Sequence, residues 1–203
     1  MYTDICFPSN NEEEYIRIAQ KIKLGGLLFI YPADTEISKI KERLKEKSVK
    51  LYYGALIESD KDLNKTKTTE LLVSDLPIRQ FIESKKIKLH YGFESYEKKD
   101  SLHYRKSGLE QVVSKIFYEK EKIYGFSHSL ILNARNKPLV FGRMMQNIRL
   151  LQKYKNNIFI GSFAKSPYEL RSRSELVSFG VCLGLTPNKA KESVKLLANG
   201  FLA

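Results

Sequence analysis

The chain has 203 residues, 42% of them hydrophobic, which is enough for one substantial core and too little to predict two large domains. Lysine and arginine total 35 against 23 aspartates and glutamates, so the formal net charge is +12. Folding does not require such an excess of positive charge, because like charges repel one another. The excess therefore favours a polyanionic partner, with nucleic acid ahead of an acidic membrane surface. We therefore expect one domain over residues 1–203 with a nucleic-acid partner.

The cysteines and the apolar runs indicate the compartment. Cys6 and Cys182 lie in apolar runs and are interpreted as small buried hydrophobic residues, not as a disulfide framework. There is no C-x-x-C pair, which excludes a zinc ribbon, and residues 1–5 lack the pattern of a signal peptide. No run approaches 18 apolar residues. We expect a cytoplasmic protein without a membrane partner.

Short β-rich runs alternate with amphipathic helical segments along the whole chain. The predicted strands are residues 3–7, 26–31, 49–57, 70–74, 87–91, 122–127 and 157–162. The predicted helices are residues 12–21, 36–47, 78–84, 109–118 and 129–135, one within 138–155, then 174–183 and 187–197, with Thr186 as the N-cap of the last. Residues 58–68 and 92–107 are predicted to be connectors.

This alternation predicts an α/β fold with parallel strands and helical crossovers. Seven or eight such units in about 200 residues favour a small or distorted TIM-like (β/α) barrel with about seven parallel strands. A doubly wound open sheet is the alternative.

The sequence contains none of the catalytic or metal-binding motifs that we searched for. The three histidines, His90, His103 and His128, are scattered, and no H-x-H or H-E-x-x-H pattern surrounds them. The chain contains no G-x-S-x-G, G-x-x-x-x-G-K-S/T or G-x-G-x-x-G. We therefore predict no catalytic residue, no metal ligand and no cofactor held by this chain.

Residues 142–173 are the most basic part of the chain, with seven cations and one anion, Glu169. In the helix within this stretch, Met144 and Ile148 share a face that should be buried. Arg143 and Asn147 lie on a different side, which we predict to be exposed and suited to phosphate, sugar and base contacts.

The strand at residues 157–162 ends in small residues, followed by a loop. Gly161, Ser162 and Ala164 are predicted to form a phosphate cradle, to which Lys165 adds charge. In an RNA-binding protein the cradle would hold a backbone phosphate, and in a metabolic barrel enzyme it would hold the phosphate of a small substrate. A further basic segment at residues 97–108 mixes lysine and arginine with tyrosine and histidine, a combination that stacks on bases and contacts phosphates.

These segments resemble a known family. The D-x-x-H-x-R-x-S-G-L pattern of residues 100–109, M-M-Q-N-I-R of 144–149, G-S-F-A of 161–164 and P-Y-E-L-R of 167–171 are similar to motifs of archaeal ribonuclease P protein component 3, a relative of the eukaryotic thirty-kilodalton subunit. The resemblance covers roughly residues 85–198. Glu110 departs from it, because the family usually has asparagine there, and a carboxylate would repel phosphate.

The resemblance implies a barrel related to the polymerase and histidinol phosphatase hydrolases, whose first strand carries an H-x-H pair. Here that strand has Thr3, Asp4, Ile5 and Cys6 and no histidine. The resemblance also implies a subunit that binds and stabilises the catalytic RNA, which removes the 5′ leader of precursor tRNA using Mg²⁺. The implied partners are ribonuclease P RNA, protein component 2, other ribonuclease P proteins and precursor tRNA. The alternative is a metal-dependent phosphoesterase of the same lineage.

Together, the basic segments and the resemblance predict a set of RNA-binding residues. They are His103, Arg105, Lys106, Arg143, Asn147, Arg149, Lys165, Arg171 and Arg173.

Overall fold

The computed structural model describes residues 2–44, 49–66 and 71–200. Within them, seven parallel strands form one sheet whose order follows the chain. The strands are β1 (Thr3–Cys6), β2 (Gly26–Pro32), β3 (Lys50–Leu56), β4 (Leu71–Ser74), β5 (Ile87–Tyr91), β6 (Ile123–Ser127) and β7 (Asn157–Gly161).

The two edges of this sheet meet where the chain leaves β7. Cys6 and Ala164 form a parallel bridge, the Ala164 N–H donates to Ile5 O at 3.0 Å, and the Phe7 N–H donates to Ala164 O at 2.8 Å. The result is a nearly closed α/β barrel, which confirms the predicted fold class. The open-sheet alternative is wrong, because a doubly wound sheet reverses its strand order.

The helices surround this sheet. They are α1 (Glu12–Lys21), α2 (Ile37–Arg43), α3 (Asp62–Lys65), α4 (Arg79–Glu83), α5 (Gln111–Glu119), α6 (His128–Asn133), α7 (Lys137–Lys153), α8 (Arg173–Leu183) and α9 (Pro187–Gly200). Short 3₁₀ turns occupy Phe93–Ser95 and Pro167–Glu169. The Thr186 hydroxyl caps α9 by accepting from the Lys189 N–H at 3.4 Å, as predicted. In the described part of the chain, no helix has the length and apolarity to cross a bilayer.

Alternate residues of each strand fill the barrel interior. With Phe163, which follows β7, and Leu197 of α9, they form a cluster of Ile5, Leu28, Ile30, Tyr52, Leu71, Val73, Leu89, Tyr91, Ile123 and Phe159. Phe163 has a φ of +48° and stacks on Tyr91 with ring centroids 4.6 Å apart, so it fills the barrel where the strands end. A Cβ on Gly125 would lie 2.4 Å from this ring, so β6 needs a glycine there.

Several local expectations differ from the structure. The predicted connector after β3 contains the short helix α3, and α4 begins at Arg79, after Pro77. In the predicted helix 109–118, Val112 is 60% exposed, because α5 buries the neighbouring face of Ser114 and Phe117. Cys182 was predicted to be buried but is exposed, because α8 buries only the stripe that contains Leu183. The predicted end of the second helix and the predicted start of the fourth strand lie outside the described residues.

Candidate nucleic-acid interface

Two side chains of α7 hold down the long connector that follows β5; we call its residues 96–106 the basic loop. Arg143 Nε donates to Asp100 Oδ1 at 2.8 Å, and its Nη1 donates to the carbonyls of Glu94 at 2.8 Å and Glu97 at 2.6 Å. Asn147 Nδ2 donates to Glu94 Oε1 at 2.8 Å and to Ser107 O at 2.9 Å. The sequence segments 100–109 and 142–149 are therefore in direct contact.

The predicted exposure of Arg143 and Asn147 is wrong, because both residues are completely buried. Their side of α7 is polar, but the connector covers it and provides a carbonyl or carboxylate for Arg143 Nε and Nη1 and for Asn147 Nδ2. A buried guanidinium needs such partners, since burial of an unpaired charge is very costly. These two residues therefore position the basic loop and do not present their own side chains to a partner.

Glu94 is the buried centre of this network. Its Oε1 accepts from the Tyr124 hydroxyl at 2.9 Å as well as from Asn147, and the Tyr124 oxygen accepts from the Phe93 N–H at 3.2 Å. Burial raises the pKa of the Glu94 carboxyl to about 7, although the hydrogen bonds from Asn147 and Tyr124 and the charge of Arg143 oppose this shift. The network thus joins β6, the connector and α7.

The exposed cations of the basic loop lie around this buried anchor. Arg105 is exposed and its Nη1 donates to Gly142 O at 3.1 Å, which places the guanidinium beside α7. His103 is exposed, while Lys106 is partly exposed with its Nζ 3.8 Å from Glu97 Oε2. Tyr104 lies between them and is 64% exposed. This mixture of cations and an exposed ring suits phosphate contacts and base stacking.

Next to Arg105 a groove runs between α5 and α7; we call it the α5–α7 groove. Its lining is Arg105, Leu109, Glu110, Gln111, Gly142, Met145, Gln146, Arg149, Leu150 and Lys153. Arg149 and Lys153 are exposed and stand one helical turn apart, so both charges face the same side. Glu110 is the one carboxylate of the lining. Arg105 and Arg149, predicted separately from the loop and the helix, meet in this groove.

The predicted phosphate cradle after β7 is wrong. The Ser162 N–H donates to Asp4 Oδ1 at 2.7 Å, the Ala164 N–H donates to Ile5 O, and the Lys165 N–H donates to Glu169 Oε2 at 2.8 Å. Gly161, Ser162 and Ala164 are also buried. The Ser162 and Ala164 donors close the barrel and the Lys165 donor is held by Glu169, so none of the three is available to a phosphate.

Asp4 was not among the predicted functional residues, yet it organises this closure. Its Oδ1 accepts from the N–H groups of both Ile5 and Ser162. Burial raises its pKa to about 6, and the hydrogen bonds from Ser162 and Ile5 oppose the shift. The signal in the sequence was a single carboxylate in a short buried strand, which must find donors when its barrel closes.

The remaining predicted cations lie apart from the α5–α7 groove. Lys165 is exposed at the carboxyl ends of the strands. Arg171 is partly exposed, and its Nη1 donates to the carbonyls of Tyr168 and Leu170, both at 2.9 Å. Arg173 is exposed at the other end of the barrel, in a groove shared with Tyr2, which precedes β1. The nine predicted RNA-binding residues therefore do not form one continuous surface.

The side chains at the carboxyl ends of the strands do not fit a metal cluster. His90 lies between Phe93 and Phe117, with ring centroids 5.9 and 5.0 Å away, and burial lowers its pKa to about 3. His128 packs edge-on against Phe179. Throughout the described ranges, no three histidine, cysteine, aspartate or glutamate side chains come together as ligands would.

Comparison with known proteins agrees with this barrel. No family model matches the chain. A chain in the cryo-EM structure of archaeal ribonuclease P with mature tRNA is similar, with a TM-score of 0.73 and 18% identity over 94% of this chain and 85% of that one. The histidinol phosphate phosphatase of Lactococcus lactis, solved with zinc, L-histidinol and phosphate, has a TM-score of 0.63 and 10% identity over 93% of both chains. At these identities the similarity shows a common fold.

Proposed function

We propose that this chain is a protein subunit of ribonuclease P that binds and stabilises the catalytic RNA. The observation that carries the proposal is the direct contact between segments 100–109 and 142–149, two of the segments that resemble ribonuclease P component 3. Arg143 and Asn147 join them, and the joined unit exposes cations on a chain of net charge +12. The fold similarity to a chain of archaeal ribonuclease P with tRNA supports the same assignment.

The direct RNA contacts in this proposal are made by His103, Arg105, Lys106 and Arg149 around the basic loop and the α5–α7 groove. Lys165, Arg171 and Arg173 would contact phosphates in other parts of the same RNA. The RNA carries out the Mg²⁺-dependent removal of the 5′ leader from precursor tRNA. Component 2 and other ribonuclease P proteins are the protein partners, and this chain supplies no catalytic residue.

Reconstitution tests the proposal. The catalytic RNA is assayed for cleavage of precursor tRNA at limiting Mg²⁺, with component 2 present and with or without this chain. We expect the chain to raise the cleavage rate and lower the Mg²⁺ concentration that is needed, because its cations neutralise RNA phosphates. An unchanged rate and an unchanged Mg²⁺ requirement would show that the chain is not a functional subunit.

A further inference from the structure

A second concave surface lies on the other side of the basic loop. It is a cleft of about 1080 Å³ at the carboxyl ends of the strands; we call it the mouth cleft. One wall is residues 94–99, the facing wall is residues 129–140, and Lys165 lies at its edge. Tyr91 and Phe163, stacked on each other, lie at its floor. In barrels of this class, this end of the strands is where ligands bind.

Four exposed cations from three separate segments surround the mouth cleft. Lys98 and Lys99 come from the basic loop, Arg135 follows α6, and Lys165 follows β7. Among the described residues none of the four forms an ion pair. Cations brought together from distant parts of a chain repel one another, and a polyanion entering the cleft relieves that repulsion.

The carboxylates that also line the cleft are largely neutralised. Glu97 lies near Lys106, and Glu94 has a raised pKa and accepts two hydrogen bonds. Burial raises the pKa of Asp75, which favours its neutral form, and the charge of Lys165 opposes that shift. The four cations therefore dominate the charge that a ligand meets.

The neutral part of the lining suits nucleotides. Tyr96 lies on the wall with 54% of its surface exposed, and the exposed amides Asn133 and Asn136 also line the cleft. Asn133 Nδ2 donates to Glu169 Oε1 and Asn136 Oδ1 accepts from the Leu139 N–H, so each amide has its other atom for a base edge. A ring of this kind stacks on an unpaired base, and amides bind base edges. The volume of about 1080 Å³ lies just above the usual range of pockets for small ligands, whereas duplex RNA is recognised across its grooves.

We propose that the mouth cleft binds an unpaired RNA segment of one or two nucleotides, with its phosphates on Lys98, Lys99, Arg135 and Lys165 and a base on Tyr96. This inference rests on the proposed function and adds the form of the RNA. Arg143 lies beneath the basic loop and holds both surfaces in place, so RNA along the α5–α7 groove has the cleft directly beside it.

The test measures binding of the full-length chain to a fluorescent single-stranded hexaribonucleotide and to a duplex of the same sequence, by anisotropy. The cleft variant is Arg135→Ala with Lys165→Ala, and the stacking variant is Tyr96→Ala. The matched control is Lys21→Ala with Lys85→Ala, which removes two exposed charges elsewhere. All these side chains are exposed, so the variants should fold, which thermal unfolding checks.

We expect the cleft variant to weaken single-strand binding by about tenfold or more, because two phosphate contacts are lost. Tyr96→Ala should weaken it by about fivefold or more. Duplex binding should change no more than in the control. Equal losses in the cleft variant and the control would overturn the proposal. So would competition by a polyglutamate peptide as effective as that of unlabelled single-stranded RNA.

The same variants separate this inference from the proposed function. If the wild-type chain stimulates precursor tRNA cleavage but the cleft variant binds the hexaribonucleotide normally, the cleft assignment is wrong and the subunit role stands. If the chain fails to stimulate cleavage while hexaribonucleotide binding still depends on Arg135, Lys165 and Tyr96, the subunit role is wrong and the cleft assignment stands.

Discussion

The Arg143 guanidinium and the Asp100 carboxylate form an ion pair across 43 positions of sequence, with Nη2 2.7 Å from Oδ1. The Arg143 side chain is 1% exposed and that of Asp100 is 23% exposed. Burial alone would raise the pKa of Asp100, but the hydrogen bonds from Arg143 and from the Lys106 N–H outweigh it and lower the pKa. Through this pair, α7 and the basic loop behave as one structural unit.

Arg143→Ala should therefore act on stability. Removal of one partner of a buried ion pair leaves two connector carbonyls without their donor and Asp100 without its cation, so we expect a loss of about 3–5 kcal/mol in the free energy of unfolding. Arg143→Lys should recover only part of it, since lysine lacks the planar fork that reaches three acceptors. Urea denaturation measures the free energy of unfolding of both variants.

Arg149→Ala is the matched control on the same helix, because its side chain is exposed. Its free energy of unfolding should stay within about 0.5 kcal/mol of wild type. If Arg143→Ala is equally mild, the anchoring role of Arg143 is refuted.

Arg149→Ala should instead act on RNA affinity. A lost phosphate contact lowers the slope of log affinity against log salt concentration by about 1, and adding Lys153→Ala should lower it by about 1 more. Filter binding to the catalytic RNA at several salt concentrations gives the slope. Lys85→Ala, at the amino ends of the strands, controls for net charge; a slope equal to that of wild type in the double variant would exclude the α5–α7 groove.

Gly125→Ala and Gly142→Ala should have opposite effects on stability. A Cβ on Gly125 meets the Phe163 ring at 2.4 Å inside a packed barrel, which should cost about 1–3 kcal/mol. A Cβ on Gly142 meets only the end of the flexible Arg105 side chain, at 3.1 Å, and alanine favours the helix by up to about 1 kcal/mol. Thermal unfolding distinguishes them, and a stable Gly125→Ala protein would contradict the assigned packing of Phe163.

Stability should depend on pH through Glu94. Its pKa is about 7 in the fold against an ordinary value of 4.5, so the folded chain binds more protons than the unfolded chain between these values. The stabilisation is complete below pH 4.5 and is lost as the pH rises through about 7.

Glu94→Gln cannot titrate and keeps an oxygen for Tyr124 and Asn147. Compared with wild type, this variant should gain on the order of 1 kcal/mol in relative stability between pH 5 and pH 8. Urea denaturation at the two pH values measures the difference. A constant gap between the two proteins would show that Glu94 does not titrate in this range.

Much of the fold could be predicted from local patterns. Strand and helix alternation indicated the barrel, and the helical spacing of Met144 and Ile148 correctly indicated the buried stripe of α7. The site was harder. Arg105 and Arg149 were predicted from separate segments, and only the fold shows that they line the same groove.

The sequence by itself determined the order of the elements, the excess of positive charge and the motifs that resemble those of ribonuclease P component 3. Only the tertiary structure decided that Arg143 and Asn147 are buried anchors and that the donors after β7 belong to barrel closure. The physical reason is that periodicity describes the faces of one helix or strand. Burial of a polar face depends on a segment elsewhere in the chain, such as the connector carrying Asp100 or the strand carrying Asp4, that supplies its hydrogen-bond partners.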